Sequence, residues 1–178
     1  MANNVNSTIR VKGTKELIDK INEMFAHKIG KDSEWFARTI YDEYESSSDW
    51  MAKHIGPKWI YSDYAGKEGD EEFEIQTVSA WEFPKEYLKK LLEIILAIDD
   101  SATVECTYQD EIPKFVGAFY GTKNGNDYKQ EVPDDGPDED DFEDDEGDID
   151  DVAYDEAVEN YEYELDDLCQ KLLDELKK

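Results

Sequence analysis

Five stretches that alternate apolar and polar residues, three apolar helical faces among them, and an abrupt change of charge near Glu131 predict an α+β fold with an acidic appendage. In chain order the elements run β, α, α, β, β, α, β, β. This is the order of a ferredoxin-like, split βαβ sandwich with an extra hairpin strand, here followed by an acidic C-terminal helix. The expected division is a ferredoxin-like α+β domain over 1–130, then an acidic linker and amphipathic helix over 131–178.

The first strand is read from Val5, Ser7, Ile9 and Val11, which alternate with Asn6, Thr8 and Arg10 until Gly13 interrupts. Thr14 then stands at a helix start, and Leu17, Ile18, Ile21, Met24 and Phe25 make one apolar face. Between Asp32 and Glu45 the residues Trp35, Phe36, Ile40 and Tyr44 predict a second helix, ended or re-capped at Ser46-Ser47-Ser48, with a further turn over Asp49 to His54. After Gly56-Pro57, a strand from Trp59 through Tyr61 and Asp63 turns at Ala65 to Gly69 and returns through Phe73, Ile75, Thr77, Ser79 and Trp81. Pro84 opens a helix whose face is Leu88, Leu91, Leu92, Ile95 and Leu96. Strands over Thr103 to Tyr108 and Lys114 to Tyr120 complete the domain, with Pro113 at their junction. Beyond the acidic run, Val158, Tyr161, Leu165, Leu168, Leu172 and Leu176 recur at helical spacing. That stripe needs burial against the domain, a second copy of the chain, or a partner.

Eleven Tyr, seven Phe and four Trp among 178 residues require a folded core, even at a net charge of −28. Residues 1–130 hold twenty-four acids and sixteen bases, whereas from Glu131 onward twenty-three acids face three bases. The formal charges are therefore −8 and −20. Such charge disfavours direct binding to nucleic acid or to an anionic membrane, and favours basic proteins as partners. Cys106 and Cys169 form no CxxC and no paired spacing, which suits a reducing compartment. With no signal-peptide pattern and no run of apolar residues long enough to span a bilayer, a cytoplasmic protein is expected.

The segment Gly56-Pro57-Lys58-Trp59, followed by Phe73-x-Ile75, by Ser79-Ala80-Trp81-x-x-Pro84, then by Tyr108 and Phe115-x-Gly117, resembles the YubB-type ferredoxin-like domains of phages and plasmids over residues 4–121. The resemblance implies a ferredoxin-like fold and a mobile-element origin, hence location in a host cytoplasm. It implies no established activity.

No Ser-His-Asp order, HExxH, P-loop, GxGxxG or Cys/His cluster occurs, and the two histidines, His27 and His54, stand apart from any such set. No catalytic residue and no cofactor is expected. An EF-hand register also fails, because Gly136 at position six puts Pro133 at position three, and Gly147 puts Phe142 at position one. Lys58, Trp59 and Trp81 form an alternative binding site, a cation beside aromatic walls. The competing structural reading makes Lys58 a strand lysine lying over Trp59 and makes both tryptophans core anchors.

The strongest feature is the run from Asp134 to Asp151, in which thirteen of eighteen residues are acidic. Its carboxylates are Asp134, Asp135, Asp138, Glu139, Asp140, Asp141, Glu143, Asp144, Asp145, Glu146, Asp148, Asp150 and Asp151. The helix adds Asp155, Glu156, Glu159, Glu162 and Asp166 as candidate partner contacts. From Asp150 to Asp167 nine carboxylates lie on eighteen residues, about one per 3 Å of helix axis against about one per 1.7 Å in duplex DNA. The expected function is a non-enzymatic, acidic inhibitor that mimics nucleic acid and blocks a basic nucleic-acid-binding protein. Given the resemblance, that target is a host defence nuclease. The alternative is a protein- or ligand-binding module with a solvating acidic tail. A homodimer through the C-terminal helix fits the stripe.

Overall fold

The computed structural model describes residues 3–26, 32–112, 114–143 and 149–178. Its strands are β1 (Asn4–Lys12), β2 (Ile60–Lys67), β3 (Glu72–Ala80), β4 (Thr103–Asp110), β5 (Val116–Thr122) and β6 (Gly125–Glu131). They form one six-stranded antiparallel sheet in the order β2-β3-β1-β4-β5-β6. Apolar alternation in the sequence marks five of these strands. The sixth, β6, carries no such mark, because all seven residues of Gly-Asn-Asp-Tyr-Lys-Gln-Glu are exposed. The β2–β3 turn also falls later than expected, after Lys67, and a bulge between Ser62 and Tyr64 shifts the register of β2.

One face of the sheet carries Val5, Ile9 and Val11 of β1, Phe73 and Ile75 of β3, and Val104, Cys106 and Tyr108 of β4, all buried. The alternation read from the sequence places these side chains together, since Ile9 pairs with both Ile75 and Cys106. Helix α1 (Lys15–Ala26) covers them with Leu17, Ile18, Ile21 and Phe25. Asp99 fixes the entry to α1: it accepts the Thr14 N–H at 2.7 Å and the hydroxyl and N–H of Ser101 at 2.6 and 2.9 Å. The Ser101 hydroxyl first, then the Thr14 and Ser101 amides, pull its carboxyl down to about 2.

The helix expected over 32–45 is only α2 (Ser33–Arg38), capped by Asp32. Thr39 ends it, with its hydroxyl donating to the Phe36 carbonyl and sharing a hydrogen bond with the Tyr87 hydroxyl. A separate helix α3 (Ser48–His54) starts on the Ser47 cap. Helix α4 (Lys85–Leu96) buries Tyr87, Leu88, Leu91, Leu92 and Ile95, and the Tyr87 ring stacks on Phe36 at 4.0 Å. His27 and Pro113 lie outside the described residues.

The other face is covered over β4, β5 and β6 by the long helix α5 (Asp151–Leu176). Leu165, Cys169, Leu172 and Leu173 bury against Val116 and Ala118, which alternate with the core residue Phe119. The centre of the stripe is therefore rotated from the expected one. Cys169 and Leu173 are buried, while Leu168 and Leu176 are half-buried. At the helix end Lys177 reaches Glu105 at 2.9 Å and Glu175 reaches Lys129 at 2.6 Å. Gly117 lets Tyr108 cross β5: a side chain there would run into the Tyr108 ring and the Lys129 carbonyl, to which the Tyr108 hydroxyl donates at 3.3 Å.

Of the three burial options for the stripe, the structure takes the chain's own sheet. Leu172→Ala should accordingly cost about 2–5 kcal/mol, while Leu168→Ala, from a half-buried site, should cost much less. Urea denaturation of both variants checks this, and equal losses would mean that α5 docks on a different face.

Candidate functional site

Helix α5 has 26 residues and β5 has seven, which correspond to about 39 Å and about 23 Å. Its C-terminal turns lie beside Tyr120 and Thr122, so its N-terminal turns project past the opposite end of the sheet. The acidic linker folds back onto that projection. Gly136 lies so close to the Tyr161 ring that a Cβ would sit 2.8 Å from it, and the Tyr161 hydroxyl donates to the Asp134 carbonyl. Phe142 meets the Tyr154 ring edge-on at 5.6 Å, and the Asp150 N–H donates to the Phe142 carbonyl at 3.0 Å. Asp138 caps a single 3-10 turn over Glu139–Phe142, and Asp150 caps α5 by accepting the Ala153 N–H at 3.1 Å. Tyr154, Tyr161 and Gly136 thus order the acidic segment. Their signal in the sequence is a tyrosine spacing of seven on one helical face opposite a Gly-Pro pair.

On this frame Asp134, Asp135, Asp138, Glu139, Asp140, Asp141, Glu143, Asp150, Asp151, Asp155, Glu156, Glu159, Glu162 and Asp166 are all exposed. Glu164 and Asp167 join them. Asp144, Asp145, Glu146 and Asp148 lie outside the described residues. Asp155, Glu159, Glu162 and Asp166 recur at four, three and four residues and line one flank of α5. Among the described residues, no Lys or Arg stands within 4.0 Å of any carboxylate from Asp134 to Asp167.

The sheet presents the opposite pattern. Arg10 meets Glu74 at 3.0 Å, Lys12 meets Glu105 at 3.0 Å, and Lys67 meets Asp19 at 2.5 Å. The unpaired field is felt locally, since burial and then the carboxylates of Asp135 and Asp134 raise the Tyr161 phenol. Between the projecting helix and the strand ends lies a cleft of about 470 Å³, lined by Asn6, Gln109, Glu111, Pro137, Val158 and Glu162 among others.

Of the alternative residues, Lys58 and Trp81 meet, while the Trp59 ring turns to Tyr61. Trp81 is 51 % exposed and Trp59 is half-buried, so neither is a core anchor; the buried tryptophan is Trp35. Lys58 lies 5.6 Å over the ring of Trp81 and not over Trp59, which stacks instead on Tyr61 at 5.9 Å. Trp81 adopts a left-handed backbone, with φ of 66°, and is the one non-glycine residue with positive φ among the described residues. For a bulky side chain this costs about 1–3 kcal/mol. Three hydrogen bonds hold the strained turn: Ala80 N–H to the Trp59 carbonyl, Trp81 N–H to the Asn3 carbonyl, and the Ser79 hydroxyl to the Glu82 carbonyl.

His54 has a structural setting, with its ring stacked on Trp50 at 4.3 Å and Nδ1 2.9 Å from the Trp50 carbonyl. Among the described residues, no group of three or more His, Cys, Asp or Glu is placed to hold a metal ion, and no helix is long and apolar enough to cross a membrane. Comparisons with protein-family models, with curated proteins and with solved structures find no match to this chain.

Replacing Trp81 with Gly should change stability by less than about 1 kcal/mol, because relief of the backbone strain offsets the loss of partial packing. Trp35→Ala should cost about 3–5 kcal/mol. Thermal melts of both variants distinguish an indole held outward from one that anchors the core, and a comparable loss for Trp81→Gly would contradict the first.

Proposed function

We propose that this protein is a non-enzymatic decoy that mimics nucleic acid and blocks a basic nucleic-acid-binding protein. The observation that carries the reading is the state of the carboxylates between Asp134 and Asp167, exposed on an ordered surface and unpaired among the described residues. Close, unpaired like charges destabilise a folded surface. Here the helix docking and the Tyr154 and Tyr161 contacts hold them in place all the same. A groove built for phosphates offers Lys and Arg at spacings that such a row can meet, and one helical copy suffices because the stripe of α5 is buried against β5.

The finer fold reading is ferredoxin-like. The antiparallel order β2-β3-β1-β4, with helices between β1 and β2 and between β3 and β4, supports it, and β5 and β6 extend the sheet beyond β4. With the YubB-type resemblance, this favours a phage or plasmid counter-defence protein acting in a host cytoplasm, with a host defence nuclease as target. The second reading, a binding module using Lys58, Trp59 and Trp81, is favoured by the outward-held Trp81.

Capture from a bacterial lysate at about 50 and about 200 mM salt, with and without added DNA, tests the decoy. Retention of a basic partner should fall steeply with salt, and DNA should displace it. A complex that persists at high salt, or that holds DNA and this protein together, would rule out mimicry.

A further inference from the structure

We infer that Trp81 acts as the base surrogate of the acidic surface, so that the partner is a protein whose basic cleft stacks unpaired nucleobases on aromatic side chains. The inference rests on the mimic reading and names the class of partner: a single-strand-binding or base-extruding protein, as opposed to one that grips duplex phosphates alone.

Position supports it first. The antiparallel registers Asn4↔Ala80, Val5↔Asp110 and Val116↔Glu131 bring the end of β3, the start of β1 and the ends of β4 and β6 to one edge of the molecule. Trp81 follows Ala80 and the acidic segment follows Glu131, so the indole and the carboxylates leave the sheet at the same end. The link between them is short. Trp81 N–H donates to the Asn3 carbonyl at 3.0 Å, the Asn4 N–H reaches Glu111 at 3.3 Å, and Glu111 lines the same cleft as Pro137 and Glu162. Four strand spacings separate β3 from β6, about 19 Å, which lies within the site of a protein that binds several nucleotides of a single strand.

Conformation supports it second. A left-handed backbone turns the indole outward instead of into the core, and 51 % of Trp81 is exposed although Lys58 lies over its ring. A flat π-face at the same end of the sheet as the carboxylates offers a partner both kinds of group that an unstacked strand presents, bases and phosphates. Aromatic platforms that stack bases take any such face, because they read shape and not hydrogen-bond pattern. Nucleic acid itself is a poorer occupant of the Trp81 site, since the exposed carboxylates at that end of the sheet repel its phosphates.

The test uses the full chain as wild type, as Trp81→Gly, as Trp81→Phe and as the quadruple variant Asp155→Asn, Glu159→Gln, Glu162→Gln, Asp166→Asn. Binding is measured to a single-stranded-DNA-binding protein of the OB fold, to core histones and to a short oligo-dT. Wild type should bind both proteins and not the oligonucleotide. Trp81→Gly should weaken binding to the OB-fold protein by about tenfold or more, the loss expected of one stacking contact, and leave histone binding unchanged. Trp81→Phe should restore most of the loss, and the quadruple variant should weaken both complexes.

If Trp81→Gly leaves OB-fold binding unchanged while the quadruple variant weakens it, the surrogate role is overturned and mimicry stands. If wild type binds neither protein, mimicry itself is overturned. Binding of oligo-dT that quenches tryptophan fluorescence in wild type but not in Trp81→Gly would make the platform a receiver of nucleic acid and overturn the inference.

Discussion

The docking of α5 on β5 is the contact on which the rest of the molecule's character depends. Val116 and Ala118 have no exposed surface, and the side chains that cover them are Leu165, Cys169, Leu172 and Leu173 of the helix. Burying side chains of this size contributes roughly 1.5–3 kcal/mol each before entropy is subtracted. The importance of this apolar seam lies in where it places the helix. Only the C-terminal half of α5 is buried, so the N-terminal half extends beyond the sheet and serves as the support onto which the linker folds.

Charge is organised around that seam in two regimes. On the sheet, Arg10, Lys12 and Lys177 are set among Glu72, Glu74 and Glu105, and their repulsions and attractions largely cancel. On the projecting half of α5 and its linker, among the described residues, none of the carboxylates from Asp134 to Asp167 has such a neighbour. Exposed ion pairs of the first kind add little to stability, but they leave the sheet without a strong field. The field of the molecule is therefore concentrated at one end, the end where Trp81 also stands.

Much of this was legible from residue patterns. Period-two alternation in Val5 to Val11 and Thr103 to Tyr108 located strands, and the spacing of Leu88 to Ile95 located a buried helical face, because burial on one side leaves that mark. β6 left no such mark, since an exposed edge strand is chosen by its hydrogen bonds to β5 and not by apolar side chains. The acidic residues were found by composition alone, but their ordering was not, because it comes from the long-range contacts of Gly136 with Tyr161 and of Phe142 with Tyr154. For Trp81 the sequence leaves two readings open, a binding aromatic beside Lys58 and a core anchor, because a backbone dihedral set by hydrogen bonds to Asn3 and across the Ser79 to Glu82 turn has no sequence signature outside glycine.

Order of the acidic surface in the free chain is read by amide hydrogen exchange on the isolated protein. Amides from Tyr154 to Glu164 should be protected well beyond unstructured rates, as part of one helix with the docked turns from Leu165 to Leu176. Exchange of the first segment at unstructured rates, with protection confined to the second, would contradict it and leave the acidic run a solvating tail.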